Sequence, residues 1–540
     1  MKNLRIWRKG TALSALLLLD VACGSTGSGG DETANLGEAT QAIDAGGTWH
    51  QVTPFPEGIG LNLGLLTDGR VIISNGGNHW YTLTRDVNGS YANGTWDRLQ
   101  NSPFSTRANP SWILNDGRYM ICTGEHVTFN DDRACTIYDP VSNQWSAFDE
   151  TPERVGDTPS ATLPDGRPFY VGYASELHTF AYTPSPTGGA GSWWQTASVP
   201  YRVQANEGAS LLLSDGSVLL GGWAWRRYVL ANDAWYDTAP TPGQPVAEFS
   251  QGMQNIPLPC NSNQPPGCPG AEIGPLLLLH DGRAMILGGS TKNGLYTPPT
   301  AVDGAGSWAF AADTPNGLNH GDSPGCVETT GNVLAIANPD PGGGGQNNNS
   351  TLWEYQVSGP LANQWLTVTE PDGPFAVHSD DIRMVALPSG EVMITGHPDG
   401  NIWLYTPNGA SDVGSAPVAS TLTSWFGQFR VDGTGLNGTS TGADFGDDAK
   451  MATNFPTVMV DNGAGTPFSR SYPRTYGFDS RVPDKNHVGY FYFGIPSTLP
   501  PGNYRAWVNA NGITAQQALN FTIPVVDAGI GVMRAALWNL

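Results

Sequence analysis

The stretch Leu66-Thr-Asp-Gly-Arg-Val-Ile-Ile-Ser-Asn-Gly-Gly77 decides the fold of this 540-residue sequence, because the chain repeats it. It places an Asp-Gly pair between two apolar runs and ends in paired glycines. Asp-Gly between β-prone runs is a strong hairpin signal, since glycine accepts the positive φ that a two-residue turn needs. Turn glycines of this kind recur about every 50 residues, at Gly69, Gly117, Gly166, Gly216, Gly282, Gly331 and Gly390.

A tryptophan repeats in phase with these turns. It precedes each turn after the first, at Trp96, Trp145, Trp193 or Trp194, Trp235, Trp308 and Trp365. Repeats of about 50 residues with paired glycines and a late tryptophan are typical of kelch-type propeller blades. Seven turns therefore predict an all-β chain with a seven-bladed propeller over residues 47–415.

The ends of the predicted ring are marked by an unmatched tryptophan. No outer-strand tryptophan follows the seventh turn, whereas Trp49 precedes the first turn. We therefore expect residues 47–53 to form the outer strand of the seventh blade, which would pair an otherwise open sheet edge.

The amino terminus predicts export. Residues 1–23 combine basic residues, an apolar run too short to span a membrane, and a cysteine after a small residue. The Ala22-Cys23 pair resembles a bacterial lipoprotein cleavage site, so we expect a cell-envelope lipoprotein held to the membrane through Cys23, with plain secretion as the alternative. The Gly- and Ser-rich residues 24–46 are predicted to be a flexible tether.

Charge and cysteine usage agree with an exported protein. A net charge of −22 argues against nucleic acid or an anionic membrane surface as a direct partner. Two cysteine pairs, Cys122 with Cys135 and Cys260 with Cys268, are expected to form disulfides in an oxidising compartment. Cys326 is left over and is expected to be a buried thiol. We expect a monomer.

A second domain is predicted after the last repeat. Between residues 416 and 524, short strands separated by Pro, Gly and Asn indicate a small β-sandwich. Residues 525–540 form a tail that we leave unassigned.

Two segments of this second domain carry a family resemblance. They read GLNGTSTGADFGDDAKMATNFP at residues 435–456 and LPPGNYRAW at residues 499–507. Together with the seven repeats, they make residues 47–524 resemble the galactose oxidase and glyoxal oxidase family. The resemblance implies a seven-bladed propeller followed by an immunoglobulin-like domain.

The resemblance also implies a copper ion with a tyrosyl radical, and here the ligand positions depart from the family. The family carries its blade-borne ligands nine or ten positions before a turn glycine. In this sequence Gly60 stands in place of the crosslinking Cys, Ala108 in place of its Tyr, and Asp380-Asp381 in place of a Tyr-His pair. The second-domain segment that offers a His in the family reads YPRTY at residues 472–476. Copper radical chemistry is therefore not expected.

The same positions carry acidic residues instead. Four repeats have a carboxylate nine residues before the turn glycine, and two more carboxylates, Glu272 and Asp380, lie one residue earlier. Because the inner strands of a propeller converge on one axis, we expect an acidic channel mouth with these candidate catalytic residues: Asp157, Glu207, Asp322 and Asp381.

Clustered carboxylates need a cation, a shared proton or a cationic ligand. A divalent cation, Ca²⁺, Mg²⁺ or Mn²⁺ (with nearby histidines also Zn²⁺ or Fe²⁺), is one expectation, with the candidate ligands Glu272, Asp322, Asp380, Asp381, His320 and His378. The alternative is acid/base catalysis on a glycosidic bond or beside a carbonyl. Candidate substrate contacts are Arg107, Asn206, His126, Trp223, Trp225 and Tyr476. Solvated loop carboxylates and tryptophans packed between blades are the structural alternatives.

Two classes of function follow. The first is an exported enzyme that acts on a carbohydrate or similar polar substrate at an acidic, metal-binding mouth. The second is a non-catalytic surface protein that binds glycan or protein. A copper radical oxidase with an atypical ligand set is a third.

Overall fold

A computed structural model of the chain describes residues 43–107, 109–124, 132–156, 158–173, 177–186, 190–200, 208–221, 225–239, 273–339, 349–425, 427–440, 444–445, 453–463, 470–496 and 499–524. The predicted export signal, the tail and the Cys260–Cys268 pair lie outside these residues. The described residues form an all-β structure, in which no helix is long and apolar enough to cross a membrane. Short 3₁₀ turns occur at Leu230–Asn232, Pro315–Gly317, Ser379–Asp381 and Val413–Ser415.

After β1 (Thr48–Gln51), the strands form successive antiparallel sheets, each beginning with the strand that precedes a turn glycine. The first sheet contains β2 (Asn62–Leu65), β3 (Val71–Ser74), β4 (Trp80–Thr84) and β5 (Thr95–Arg98). The second contains β6 (Ser111–Ile113), β7 (Tyr119–Cys122), β8 (Ala134–Asp139), β9 (Gln144–Trp145) and β10 (Asp149–Glu150). The third contains β11 (Ser160–Thr162), β12 (Pro168–Val171), β13 (Thr179–Thr183) and β14 (Ser192–Gln195).

The next three sheets continue the same order. The fourth contains β15 (Ala209–Leu212), β16 (Val218–Gly221), β17 (Trp225–Val229) and β18 (Ala234–Asp237). The fifth contains β19 (Leu276–Leu278), β20 (Ala284–Leu287), β21 (Asn293–Thr297) and β22 (Ser307–Ala311). The sixth contains β23 (Pro324–Val327), β24 (Val333–Ala337), β25 (Thr351–Gln356) and β26 (Gln364–Val368).

The seventh sheet combines the two ends of this part of the chain. It contains β27 (Arg383–Ala386), β28 (Val392–Thr395) and β29 (Trp403–Thr406), and β1 is its fourth strand. The pairing is antiparallel and places Trp49 opposite Tyr405. The strand predicted over residues 47–53 is therefore confirmed in its pairing. At the opposite edge of this sheet, β27 contacts β23 of the sixth sheet and β2 of the first.

The repeated hairpins contain glycine at positive φ as predicted, but their loops are one residue longer. Gly69 has a φ of 75°, its N–H donates to Leu66 O at 2.8 Å, and Leu66 N–H donates to Arg70 O at 2.9 Å. This pattern is a three-residue loop with glycine in the last, left-handed position. The two-residue turn expected from the sequence is wrong, because Leu66 and Arg70 bond across three loop residues. Within the loop, the Asp68 carboxylate accepts from Arg70 N–H. The six other turn glycines make the same two backbone bonds.

Five of the repeated tryptophans connect their sheet to the one before it. The indole N–H of Trp145 donates to Gln100 O at 2.9 Å, and that of Trp235 to Ala197 O at 2.6 Å. Trp365 does the same to Ala312 O, and Trp96 to Thr53 O. In each case the acceptor lies just after the outer strand of the preceding sheet. Trp49 belongs to this series, since its indole donates to Thr369 O, just after β26, at 2.9 Å.

The amino-terminal residues next to β1 are also attached to the sheets. Residues 43–46, which the sequence placed in a flexible tether, run beside β26. Ala45 N–H donates to Thr367 O at 2.8 Å, and Thr367 N–H donates to Ile43 O at 3.0 Å. Backbone bonds to the sixth sheet therefore hold residues 43–46 in place.

Two further sheets follow the seventh. One contains β30 (Val418–Trp425), β31 (Gln428–Thr434), β34 (Thr475–Tyr476) and β35 (Val488–Gly494). The other contains β33 (Thr457–Asp461), β36 (Gly502–Ala510), β37 (Ile513–Thr514) and β38 (Leu519–Ile523), while β32 (Asp444–Phe445) pairs with β23 of the sixth sheet. Apolar side chains from both sheets, including Val431, Phe491 and Val508, share a buried cluster.

These two sheets pack against the turn-glycine ends of the first seven. Arg481 is fully buried, and its Nη1 donates to Ile113 O at 2.7 Å. Asn509 Nδ2 donates to Pro388 O at 3.1 Å, beside the turn of Gly390. The opposite end of the seven sheets, which we call the mouth end, is where their first strands begin.

The predicted cysteine chemistry is confirmed where the structure describes it. Cys122 and Cys135 form a disulfide between β7 and β8. Cys326 is a buried thiol outside the disulfide, and burial raises its pKa.

Candidate functional site

Four side chains that the sequence singled out lie together at the mouth end, and we call Arg107, His378, Asp380 and Asp381 the mouth cluster. Arg107 precedes β6, and the other three precede β27. Arg107 Nη2 donates to Asp381 Oδ1 and lies 3.5 Å from Asp380 Oδ2. His378 Nδ1 lies 3.7 Å from Asp380 Oδ1. One guanidinium is therefore shared by two adjacent carboxylates and offsets part of their charge, in the place where the sequence predicted a cation, a shared proton or a cationic ligand.

A local backbone turn places the two carboxylates side by side. Ser379–Asp381 forms a 3₁₀ turn, in which Asp381 N–H donates to His378 O and Ile382 N–H donates to Ser379 O, both at 3.1 Å. Arg383, which begins β27, donates from Nη1 to the backbone oxygens of Asp380 and Ile382. The turn is therefore fixed by a buried arginine next to it in the chain.

The mouth cluster is open to solvent on one side. The exposed fractions of the side chains are 37% for His378, 30% for Arg107 and 23% for Asp381, against 11% for Asp380. A ligand can therefore reach the imidazole and one carboxylate, whereas Asp380 is held inside by its neighbours.

The loop that carries Asp322 lies beside the mouth cluster. Gly321 O accepts hydrogen bonds from Asn338 Nδ2 at 3.0 Å and from Ser379 Oγ at 3.3 Å. Asp322 itself is half-buried and has a φ of 48°, a left-handed conformation that side-chain-bearing residues rarely adopt. The loops that precede β23 and β27 are therefore in contact through Gly321 and Ser379.

Several predicted site residues fall outside the described residues. These are the candidate catalytic residues Asp157 and Glu207, the candidate ligand Glu272 and the candidate substrate contacts Asn206, His126 and Trp223. Their roles remain predictions.

The expectation that His320 is a ligand needs correction. Its ring is fully buried, Nδ1 donates to Ile336 O at 2.7 Å, and the ring stacks on Trp365 with centroids 5.1 Å apart. Burial lowers the pKa of His320 to about 4. The imidazole is therefore a neutral packing group between strands and does not face the mouth.

The expectation that Trp225 binds substrate is also wrong. Its ring is fully buried and packs against Trp308, with ring centroids 5.3 Å apart. A sugar cannot stack on a face that is already covered, so the packing alternative holds for this residue.

Tyr476 lies at the other end of the sheets. Its neighbours contact the turn loops, since Gly477 N–H donates to Asn115 O at 2.5 Å and Thr475 Oγ1 lies 3.4 Å from Thr67 O. Asn115 follows β6, whereas Arg107 precedes it. Tyr476 stacks on Tyr492 and is separated from the mouth cluster by the length of this strand.

The sequence analysis missed a second group at the mouth end, which we call the rim cluster. Asp372, His397 and Asp399 each offer a potential ligand atom, and these atoms all lie within 4.8 Å of one another. Asp372 lies between β26 and β27, and the other two lie between β28 and β29. The sequence did not single out this group, because its two carboxylates lie outside the nine-residue phase. The turn-forming sequence His-Pro-Asp-Gly at residues 397–400 was the available signal.

Other carboxylates at this end already have histidine partners. Glu57 Oε1 lies 3.1 Å from His79 Nδ1 and accepts from Tyr81 OH at 2.8 Å. The hydrogen bond from Tyr81, followed by that from His79, lowers the pKa of Glu57. In the third sheet, Glu153 Oε1 lies 2.5 Å from His178 Nδ1. Acidic residues of this face are thus mostly engaged by neighbouring side chains.

No protein-family model matches this chain, and no curated protein matches it. Among solved structures, it is similar to one described as a novel fungal alcohol oxidase with catalytic diversity among the AA5 family, in complex with copper. The identity is 14%, the TM-score is 0.49, and the match covers 89% of this chain and 100% of the other. At this identity and TM-score, the likeness does not extend to site residues or activity.

The described residues do not fit the copper-radical ligand set. A Cβ atom at Gly60, where the crosslinking Cys would stand, would lie 2.4 Å from Ile73 Cδ1, so Ile73 already occupies that space. At Asp380 and Asp381 the donors are carboxylates bound to a guanidinium. Copper prefers imidazole and other nitrogen and oxygen donors in a tetragonal arrangement, and a guanidinium in the same place opposes it.

Proposed function

We propose that the seven sheets form a seven-bladed propeller closed by β1, and that the following two sheets, over about residues 416–524, form an immunoglobulin-like sandwich. The indole bonds between neighbouring sheets support the ring, since Trp49 connects the seventh sheet to the sixth and Trp96 connects the first sheet to the seventh. From the sequence we further propose an exported protein, either lipidated at Cys23 or secreted.

We propose that the mouth cluster is the active site of an enzyme that acts on a carbohydrate or similar polyhydroxylated substrate by acid/base catalysis. The observation that carries this proposal is the guanidinium shared by Asp380 and Asp381, with the accessible imidazole of His378 beside it. Carboxylates and a guanidinium together accept from and donate to hydroxyl groups, which suits sugars.

In this proposal each side chain has a separate role. His378 accepts a proton from a substrate hydroxyl or from water, since imidazole is the usual general base near neutral pH. Asp380, 3.7 Å away, stabilises the imidazolium that results. Arg107 positions Asp381, whose exposed side accepts a hydrogen bond from the substrate. Asp322 and the predicted residues Asp157 and Glu207 would supply the complementary acid.

A divalent cation at the mouth remains a proposal of lower rank. Ca²⁺, Mg²⁺ or Mn²⁺ would have to displace Arg107 from the two aspartates in order to use them as ligands. Asp322 and Glu272 are the other carboxylates that the sequence predicts as ligands of this ion.

The experiment is a turnover screen of the purified chain on glycosides and sugar derivatives, with His378→Gln and Asp381→Asn as test variants. We expect His378→Gln to reduce kcat by about 100-fold or more, because general-base catalysis contributes about 10²–10⁴-fold. Asp399→Asn, in the rim cluster, is the matched control and should leave turnover unchanged. Turnover that survives His378→Gln would contradict the assignment.

A non-catalytic glycan-binding protein is the second candidate, and a cleft beside strands β36 and β38 favours it. The cleft has a volume of about 370 Å³ and is lined by amide, arginine and aromatic side chains, Asn462, Asn503, Tyr504, Arg505, Asn520, Phe521 and Thr522. Binding to immobilised glycans that is lost in Asn503→Ala and retained in Asp381→Asn, without turnover, would establish this candidate instead.

A further inference from the structure

We propose that the rim cluster, Asp372, His397 and Asp399, binds one divalent transition-metal ion of the zinc class. The three residues come from two loops of the seventh sheet, and their ligand atoms lie within 4.8 Å of one another. The proposal does not depend on an activity at the mouth cluster.

The two carboxylates of the rim cluster lack a protein cation. Among the described residues, no lysine or arginine nitrogen lies within 4.0 Å of Asp372, and the only basic partner of Asp399 is His397. Carboxylates gathered without a counter-charge favour a bound cation or a proton.

His397 is the best-placed ligand because it is buried and weakly bonded. Its side chain is 7% exposed and is held edge-on by Phe375, with ring centroids 5.7 Å apart. Its one hydrogen bond among the described residues, from Asp399 N–H to Nδ1, is 3.5 Å long. That length exceeds the usual 2.7–3.2 Å range of such bonds. A buried imidazole nitrogen thus points at the Asp399 carboxylate without a good partner.

The separation of these two groups suits a shared metal. His397 Nδ1 and Asp399 Oδ2 are 3.5 Å apart. Two ligands about 2.0–2.1 Å from one tetrahedral zinc ion lie about 3.3 Å from each other. The pair is therefore slightly wide for direct bonding and near the spacing of two ligands on one ion.

Neighbouring donors orient the remaining carboxylate. Asp372 Oδ2 accepts from Asn401 Nδ2 and from Trp403 Nε1, each at 3.1 Å. Hydrogen bonds to Oδ2 fix the orientation of the carboxylate and therefore of Oδ1. Donors of this kind to a ligating carboxylate are typical of metal sites. One imidazole with two carboxylates favours Zn²⁺ over the all-oxygen sets that Ca²⁺ and Mg²⁺ prefer, and water would complete the tetrahedral set.

The metal would also strengthen the closing strand. Gln51, the last residue of β1, donates from Nε2 to Asn401 Oδ1 at 2.7 Å. Asn401 in turn donates to Asp372. An ion that fixes Asp372 therefore fixes the amide to which β1 is bonded, and its loss should loosen the attachment of β1.

The test uses the untagged, full-length mature chain, stripped with EDTA and then titrated with ZnCl₂. We expect one Zn²⁺ per chain by metal analysis and a rise in Tm of about 3 °C at a free Zn²⁺ concentration about 100 times Kd. Co²⁺ substituted at the site should show the visible absorption of a tetrahedral complex. His397→Gln and the exposed-site variant Asp399→Asn should both lose the Tm response and the absorption.

Asp381→Asn is the matched control, because it removes a carboxylate from the mouth cluster and leaves the rim cluster intact. Its Zn²⁺ response should equal that of the wild type. The proposal is overturned if the wild type shows no Zn²⁺-dependent rise in Tm, or if only Ca²⁺ produces one. It is equally overturned if the response survives in Asp399→Asn and disappears in Asp381→Asn, which would place the ion at the mouth.

Discussion

The mouth cluster and the rim cluster gather carboxylates on loops of the same sheet, yet they differ in what balances the charge. At the mouth, Arg107 reaches across from the second sheet and contacts both Asp380 and Asp381. At the rim, no described arginine or lysine approaches Asp372 or Asp399 within 4.0 Å, and a buried histidine faces them instead. Adjacent carboxylates therefore do not by themselves indicate a metal. The deciding feature is whether the fold also delivers a guanidinium.

The largest effect is expected outside both clusters, at His320, to which we assign the main acid sensitivity of the fold. Its folded pKa is about 4, below the ordinary 6.5, so the folded state resists protonation. Stability is then fully present above pH 6.5 and falls as the pH drops from 6.5 to about 4. The expected loss is on the order of 3 kcal/mol, measured as the free energy of unfolding in urea at pH 7.5 and pH 4.

The control for this effect is His320→Gln, which keeps a donor for Ile336 O and removes the titration. Burial raises the pKa of Glu328, so protonation of that carboxyl favours the folded state as the pH falls. This opposing contribution is the same in the wild type and in His320→Gln. The difference in acid sensitivity between them isolates His320. If the wild type and His320→Gln lose the same stability in acid, the loss must be assigned to the two clusters instead of His320.

Removing Arg107 should have the next largest effect. Arg107→Leu removes the guanidinium that contacts both Asp380 and Asp381. We expect a loss of about 2 kcal/mol in the free energy of unfolding, reduced from the fully buried case because the cluster is partly exposed. Asp380→Asn with Asp381→Asn in the same Arg107→Leu chain should restore most of it. If Arg107→Leu alone leaves the free energy of unfolding unchanged, solvent and not Arg107 compensates the charges of Asp380 and Asp381.

Neutralising one mouth carboxylate should cost less. In Asp381→Asn, Arg107 still has the Asp380 carboxylate as a partner. We therefore expect a loss of only about 1 kcal/mol in the free energy of unfolding. Chemical denaturation of this variant in low and high salt should show a smaller salt dependence than the wild type. A loss as large as that of Arg107→Leu would mean that Asp380 contributes nothing.

The smallest effect is expected at the rim in metal-free protein. Asp399 is 59% exposed, so Asp399→Asn should change the free energy of unfolding by no more than about 0.5 kcal/mol when EDTA is present. The same substitution is expected to abolish the response to Zn²⁺. A large effect without metal would show that Asp399 already has a structural partner in the protein, and the contrast between the clusters would then fail.

The features that the sequence predicted well are encoded locally. The Asp-Gly loops need glycine at positive φ wherever they occur, and the outer-strand tryptophans keep a fixed phase with them, which is why the pairing of β1 could be inferred from the unmatched Trp49. Arg107 and Asp381 were found because a fixed count from the turn selects the starts of inner strands.

The errors concern properties that a fixed count cannot supply. Trp225 and His320 lie near the mouth in sequence phase, but side-chain packing between neighbouring sheets buries both. Tyr476 is the last residue of the segment YPRTY. The position of this segment depends on how the last two sheets pack against the turn-glycine ends of the first seven. The rim cluster was missed because it joins two loops, and neither loop carries its carboxylate in the repeated position.

The strand β1 has a consequence for the order of folding. Gln51 and its partner Asn401 are 350 residues apart in the chain, so the seventh sheet cannot be completed until nearly all of the preceding sheets have been synthesised. Contacts at such sequence separation slow folding, because loop closure must precede the energetic gain. During that interval β1, which is synthesised first, has no partner strand, and its unpaired edge is open to pairing with another chain. Early in folding, this exposed edge is where we expect aggregation to begin.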